Sequence, residues 1–294
     1  MKITVFTPTY NREEKLKRLY YNLLKQTDQR FEWLIVDDGS NDDTKELVYK
    51  IIKENTGFEI RYYRKDNGGK HTAYNVGVEK ANGELFVCVD SDDYLEATAV
   101  EKILRLWETI KVNSYIGIVA LKKDTDGRLL SERLPNNIQS SKIIDLARKY
   151  NCKGEFSLVF ATRILKRHVF PIVENEKFMC ESIIYDQVDE NGEMYLFNEV
   201  ITVCEYCDDG YTRNFLRVVL DNPTGYKLYY KQRIDLAITL KEKINYILRY
   251  HAFKIMSKDD RFEYDANSRV LVKVMLPLGY LAYLLYERKK KNYD

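Results

Sequence analysis

A chain of 294 residues, 45% of them hydrophobic, can bury a sizeable core as one large domain or as one domain with an appendage. Its five cysteines are odd in number and its sequence carries no internal repeat or low-complexity tract, which excludes a disulfide framework and a repeat array. The net charge of +2 is unevenly spread: residues 211–294 hold 17 lysines and arginines against nine acids, so the first 210 are net acidic and the remainder has the basic balance that meets an anionic partner.

The elements follow in chain order. Met1–Val5 enters a strand at once, without an apolar leader, which fits a cytoplasmic protein. Ile3–Pro8 reads as the first strand, ended by the proline, and Thr9–Arg12 as a loop. Glu13–Lys25 is a helix with Leu16, Leu19, Leu23 and Leu24 on one face. Phe31–Val36 is a second strand running into Asp37-Asp38-Gly39-Ser40, and the helix after it opens on acidic residues. Glu59–Tyr63, a loop at Asn67–Lys70, and a helix over His71–Ala81 come next. Leu85–Val89 is a fourth strand, rich in β-branched and aromatic residues, and it runs straight into Asp90-Ser91-Asp92-Asp93. Four strand–helix alternations in 100 residues predict a mostly parallel α/β sheet with right-handed crossovers.

Beyond Asp93 the spacing predicts a helix over 97–111, a strand over 116–121 and a turn at 124–128. A helix at 143–150, a strand at 155–161, a helix through Val188 and a strand at 195–206 follow. The chain then turns helical, basic and tyrosine-rich. The expected organisation is an α/β domain over 1–210 and a helical extension over 211–294. Cys204-Glu205-Tyr206-Cys207 has C-x-x-C spacing, but its strand-like flanks and lack of a second pair fit neither a zinc nor a redox site. With reduced cysteines, a reducing compartment is expected.

Ligands in open α/β sheets bind at the carboxyl ends of the strands, and here four such ends deliver polar clusters: 7–12, 37–40, 66–71 and 90–93. Three carboxylates in four residues repel one another, and a divalent cation with oxygen preference, Mg2+ or Mn2+, relieves them. Without a ligand the same stretch reads as an acidic turn with Asp93 as a helix N-cap. Tyr10 offers a flat face to a base, or is a plain loop tyrosine among 24. Gly68-Gly69-Lys70 sets a cation and backbone N–H groups ahead of a helix, a phosphate-favouring arrangement, or forms an ordinary glycine turn. The chain has no G-x-G-x-x-G after its first strand, no P-loop, no G-x-S-x-G elbow and no recognisable nucleic-acid module.

Thr7-Pro8-Thr9-Tyr10-Asn11-Arg12, Val36 to Ser40, Asn67 to Asn75 and Asp90 to Asp93, in this order and spacing, resemble the family 2 glycosyltransferases of GT-A fold. The resemblance covers about the first 110 residues, expected to be the nucleotide-sugar half, with 111–210 as the acceptor half. It implies inverting transfer of a sugar from a nucleotide donor, most often a UDP-sugar, with Mg2+ or Mn2+, to a glycan or lipid-linked glycan acceptor. It implies that Thr7, Pro8, Tyr10 and Asp37 hold the base, that Lys70 lies near the base or diphosphate, that Asp90 and Ser91 face ribose and metal, and that Asp92 binds the metal. The family's acidic base corresponds here to Glu181, with Ser182 in place of a second acid and Asp186 in reserve. Glu181 also reads as a helix N-terminal acid. A sugar-nucleotide nucleotidyltransferase and a non-catalytic glycan-binding module are the rival readings; the first would need glycines after the first strand, which Thr7–Arg12 lacks. At the C-terminus, Val270–Tyr286 is the most apolar run. It is too short and too interrupted to span a bilayer, and the basic residues 288–291 follow it, so the run is expected either to contact a membrane surface peripherally or to pack as a helix on the catalytic domain.

Overall fold

A computed structural model describes residues 2–54, 57–110, 115–205, 215–258 and 266–290. By their contacts the residues form two units, Met1–Phe170 with Ile184–Cys207, and Pro171–Ile183 with Asp208–Asp294.

The first unit begins with β1 (Ile3–Thr9), α1 (Glu13–Leu23), β2 (Phe31–Asp37), α2 (Thr44–Glu54), β3 (Glu59–Arg64), α3 (Lys70–Lys80) and β4 (Leu85–Cys88). It continues with β5 (Tyr94–Leu95), α4 (Ala99–Ile110), β6 (Gly117–Asp124), β7 (Ser140–Ser141), α5 (Ile143–Arg148), β8 (Phe156–Ala161) and α6 (Thr162–Leu165). After α7 (Ser182–Val188) comes β9 (Met194–Cys204). The described strands form one sheet in the order β3-β2-β1-β4-β8-β6-β9-β5, with β7 on β9. β3, β2, β1 and β4 are mutually parallel, β8 is antiparallel to β4 and β6, and β6 and β9 are parallel.

β1 and β2 are buried along their whole length, as central strands covered by helices on both faces must be. Phe6, Tyr74 and Phe86 pack ring to ring between β1, α3 and β4. Trp33 is buried and donates its indole N–H to Thr7 Oγ1 at 3.0 Å. β1 runs past Pro8, where the sequence predicts its end. Its pairing with β4 stops at Phe6–Cys88, so the missing N–H of Pro8 falls on a side with no ladder to break, while pairing with β2 continues to Thr9–Asp37.

Asp93 caps no helix: the chain turns at Ser91–Asp92, pairs as β5 against β9, and enters α4 only at Ala99. Residues 171–183, expected within the first domain, group with the C-terminal helices. The strand expected to reach Tyr206 ends at Cys204; Tyr206, Cys207 and Lys291 lie outside the described residues.

The second unit comprises α8 (Phe215–Asp221), α9 (Pro223–Asp235), α10 (Leu240–Met256), α11 (Ala266–Val274) and α12 (Leu276–Lys290). Glu176 accepts from the N–H groups of Thr224 and Gly225, both at 2.7 Å, which satisfies the exposed donors at the start of α9. Asn222 Oδ1 accepts from the N–H groups of Lys177 and Phe178, and Phe178 stacks on Tyr226. These bonds are the physical reason the 171–183 segment belongs here. Tyr226, Tyr230, Ile234, Ile247, Tyr250 and Phe253 form the core of the unit.

Candidate active site

The carboxyl edge of the first unit's sheet gathers the strand ends. At the end of β2, Asp37 is wholly buried; its Oδ1 accepts from Ser40 N–H at 2.7 Å and its Oδ2 from the Tyr62 hydroxyl at 2.6 Å, with Arg64 at 3.6 Å. It therefore shapes the Asp-Asp-Gly-Ser turn. Gly39 has φ +85°, and a Cβ there would lie 2.9 Å from the Asn67 nitrogen, so only glycine lets the turn close on the neighbouring loop.

Asp38, which the motif reading passed over, ties that loop down. Its carboxylate accepts from Gly68 N–H (3.0 Å), Gly69 N–H (2.7 Å) and Lys65 Nζ (2.7 Å). The two glycine N–H groups expected to be open to phosphate are thus already bonded, and a carboxylate already faces the positive end of α3. The cation of that motif is paired as well: Lys70 reaches across to Asp90, Nζ to Oδ2 2.8 Å, with both side chains partly exposed.

Of the β1 residues, Thr7 turns its hydroxyl into the core as the acceptor for Trp33, and Pro8 is buried in the strand. Tyr10 is 43% exposed and free to present its ring. Thr9 Oγ1 and both His71 ring nitrogens are buried with no hydrogen-bond partner among the described residues. Burial holds the His71 imidazole below its usual pKa, hence neutral. Buried polar atoms left unpaired cost stability, and a polar ligand at this edge is the kind of group that satisfies them.

In the acidic turn, burial raises the Asp90 carboxyl, but the Lys70 and Lys122 ammonium groups outweigh it and hold its pKa below the ordinary value. Asp93 is pushed up to about 7 by burial and by Asp90, against the pull of Lys122 at 3.9 Å. The Cys204 thiol donates to Asp93 Oδ2 at 3.2 Å. Burial opposes charge on Lys122, yet Cys204, Asp93 and Asp90 raise its pKa. Ser91 is buried and Asp92 partly exposed, with its carbonyl accepting from Arg18. Cys204 ends β9 and Lys122 lies near the end of β6, two further strands that point to the same edge.

Among the described residues no group of three or more His, Cys, Asp or Glu is arranged to hold a metal ion. Asp90 and Asp92 fit the sparser pattern of Mg2+ and Mn2+, in which one or two carboxylates suffice and substrate phosphates and water complete the shell. The raised Asp93, driven partly by its two neighbouring carboxylates, marks the surplus negative charge that such a cation neutralises.

Glu181 belongs to the second unit, in the turn before α7, where it is half-buried. Asp186, the reserve, is 4% exposed and offers little surface to an acceptor.

A sheet of this order, with a loop-locked turn, a lysine–aspartate pair and a crowded acidic turn at its carboxyl edge, is an α/β architecture whose polar groups gather at one edge. The model of the family described as Glycosyl transferase family 2 matches residues 4–170, more than half of the chain. The chain belongs to that family. Among its relatives, an "Uncharacterized glycosyltransferase" of Rickettsia felis is 38% identical over 107 residues, 36% of this chain and 17% of that protein. The chondroitin synthase of Pasteurella multocida is 33% identical over 129 residues, 44% of this chain and 13% of that protein. The chain thus spans under a fifth of the length of these curated relatives. Among solved structures, S. aureus TarS in complex with UDP-GlcNAc superposes with a TM-score of 0.60 at 17% identity, covering 100% of this chain and 93% of that one. A mannosyltransferase from Pyrobaculum calidifontis with GDP-Man and Mn2+ superposes with a TM-score of 0.51 at 15% identity, covering 98% and 73%. These likenesses show the GT-A fold.

Proposed function

We propose that this chain transfers a hexosyl or N-acetylhexosaminyl group from a nucleotide-sugar, a UDP-sugar foremost, to an acceptor hydroxyl with inversion. The observation that carries the reading is the Lys70–Asp90 pair at 2.8 Å beside the Asp90–Asp93 turn, at the edge where Tyr10 presents its exposed ring. The UDP-GlcNAc and GDP-Man complexes of its structural neighbours support the donor class. Tyr10 stacks on the base. Thr7, Pro8 and Asp37 position the backbone around it. Lys70 meets the diphosphate, Asp90 and Ser91 face the ribose, and Asp90 and Asp92 hold the cation. Mg2+ or Mn2+, when bound, neutralises charge on the diphosphate. Glu181 accepts the acceptor's hydroxyl proton as the acceptor oxygen bonds to the anomeric carbon. The bond from that carbon to the diphosphate oxygen breaks on the opposite face, leaving its electron pair on the nucleotide. The acceptor is a glycan or lipid-linked glycan in surface polysaccharide or glycolipid assembly, and the protein works in the cytoplasm, peripheral to the inner face of the plasma membrane.

Calorimetric titration with UDP-, GDP- and dTDP-sugars, with and without Mn2+, tests this. One nucleotide-sugar class is expected to bind, with Mn2+ strengthening it, and Asp92→Ala is expected to abolish the Mn2+ effect in a folded protein. Failure of every nucleotide-sugar to bind sinks the reading; an Asp92→Ala protein that keeps the full Mn2+ effect sinks the metal assignment.

A further inference from the structure

The expected apolar run near the C-terminus resolves into two helices, α11 and α12, parted at Met275 with Pro277 in the first turn of the second. No helix among the described residues is long and apolar enough to cross a membrane. Each of the two packs one side on α10. On α11, Val272 is fully buried and its carbonyl accepts from His251 Nε2 at 2.8 Å. On α12, a Cβ at Gly279 would come within 2.3 Å of His251 Cβ, and Tyr286 packs on Phe253. That accounts for one apolar face.

The other side of each helix is apolar as well. Leu278, Leu281 and Leu285 follow at helical spacing on α12, as do Val270 and Val274 on α11, and all five are between 49% and 70% exposed. Of the 20 large hydrophobic residues exposed in the described chain, eight fall within 270–285. A helix apolar on both sides is built either for a protein core or for lipid. The exposed ionic residues on these helices are Arg269 and Lys273 on α11 and Arg288 and Lys289 on α12, against one acid, the half-buried Glu287. A second copy laid on this face in either direction would bring cations against cations, whereas anionic headgroups answer both the charge and the apolar stripe. Tyr280, half exposed, and Tyr283 have the amphipathic rings that settle at the headgroup level.

We infer that the outer faces of α11 and α12 are a docking surface for an anionic bilayer, with the helices lying in the interface plane. The inference sharpens the peripheral-membrane part of the proposed function and is independent of the transfer chemistry. The test is flotation of the full chain with phosphatidylcholine vesicles, and with vesicles in which about a third of the lipid is phosphatidylglycerol, at about 50 mM and about 500 mM salt. The protein is expected to float with the anionic vesicles at low salt. The Leu281→Glu/Leu285→Glu pair is expected to lower the bound fraction at least about tenfold with unchanged circular dichroism. The Arg288→Gln/Lys289→Gln pair is expected to weaken binding and flatten its salt dependence. Should the glutamates prevent folding, Leu281→Ser/Leu285→Ser replaces them. Wild-type protein left in the soluble fraction on anionic vesicles at low salt overturns the inference, as does a sedimenting dimer that the leucine variants convert to monomer. Nucleotide-sugar binding by calorimetry is expected to be unchanged in both variants, which separates this surface from the transfer reading.

Discussion

Asp90 and Asp93 share one turn yet shift in opposite directions, because Lys70 contacts the first while burial and the first's own charge act on the second. Asp93 has a folded pKa of about 7, above its unfolded value, so the stability it contributes is full in acid and is lost as pH rises through 7. In metal-free protein the melting temperature of the wild type should therefore fall relative to Asp93→Asn between about pH 5 and pH 8. Parallel melting curves across that range would deny the raised pKa. At Glu181 the expectation is kinetic: Glu181→Gln keeps donor affinity and lowers turnover about 10²–10⁴-fold, read by single-turnover kinetics. Normal turnover would move the base elsewhere, to Asp186 first. Asp90, Asp92, Lys70 and Tyr10 were visible in the sequence because each ends or follows a strand. Lys122 and Cys204 were not, since the sheet order that aligns β6 and β9 with β4 is set by long-range pairing that no local pattern encodes; Asp38 stood in the strand-end motif, but its bonds to the Gly68–Gly69 loop are long-range too.

β2 carries a charge into the core. Glu32 is fully buried and accepts from Thr4 Oγ1 at 2.6 Å, Asn82 N–H at 2.7 Å and Arg61 at 3.1 Å, so it ties β1, β3 and the loop before β4 together. Removing one partner leaves the others buried and unpaired. Glu32→Ala is expected to cost about 3 kcal/mol in urea unfolding. A loss under about 1 kcal/mol would mean the network relaxes or hydrates freely. The first four strands were legible from their apolar runs and their Asp, Asn and Gly stops. The two-residue strands β5 and β7 and the antiparallel pairing of β8 with β4 were not, because the paired residues lie 53 or more positions apart in the chain.

At the level of the molecule, the chain leaves the sheet unit after Phe170 and re-enters it at Ile184, lending 171–183 to the helical unit. A fragment ending at residue 207 keeps every described strand but strips Glu176, Lys177 and Phe178 of what they bond to or stack on in α9 and at Asn222 just before it. In such a fragment, trypsin is expected to cut at Lys177 roughly tenfold faster than in the full chain, while the sheet still melts cooperatively. Equal protection of Lys177 in both, by mass spectrometry, would show that the segment holds its place without the helices.

β1 is the earliest strand of the sheet along the chain and sits between β2 and β4. During synthesis it emerges with both edges bare, and β4 follows it only after roughly 4–15 s at ordinary elongation rates. For that interval Ile3–Phe6 presents an apolar strand with an unpaired edge, the kind of segment that adds to neighbouring nascent chains. Slowing translation between codons 10 and 85 should therefore lower the soluble yield of this protein more than slowing it after residue 204, when β9 has completed the sheet.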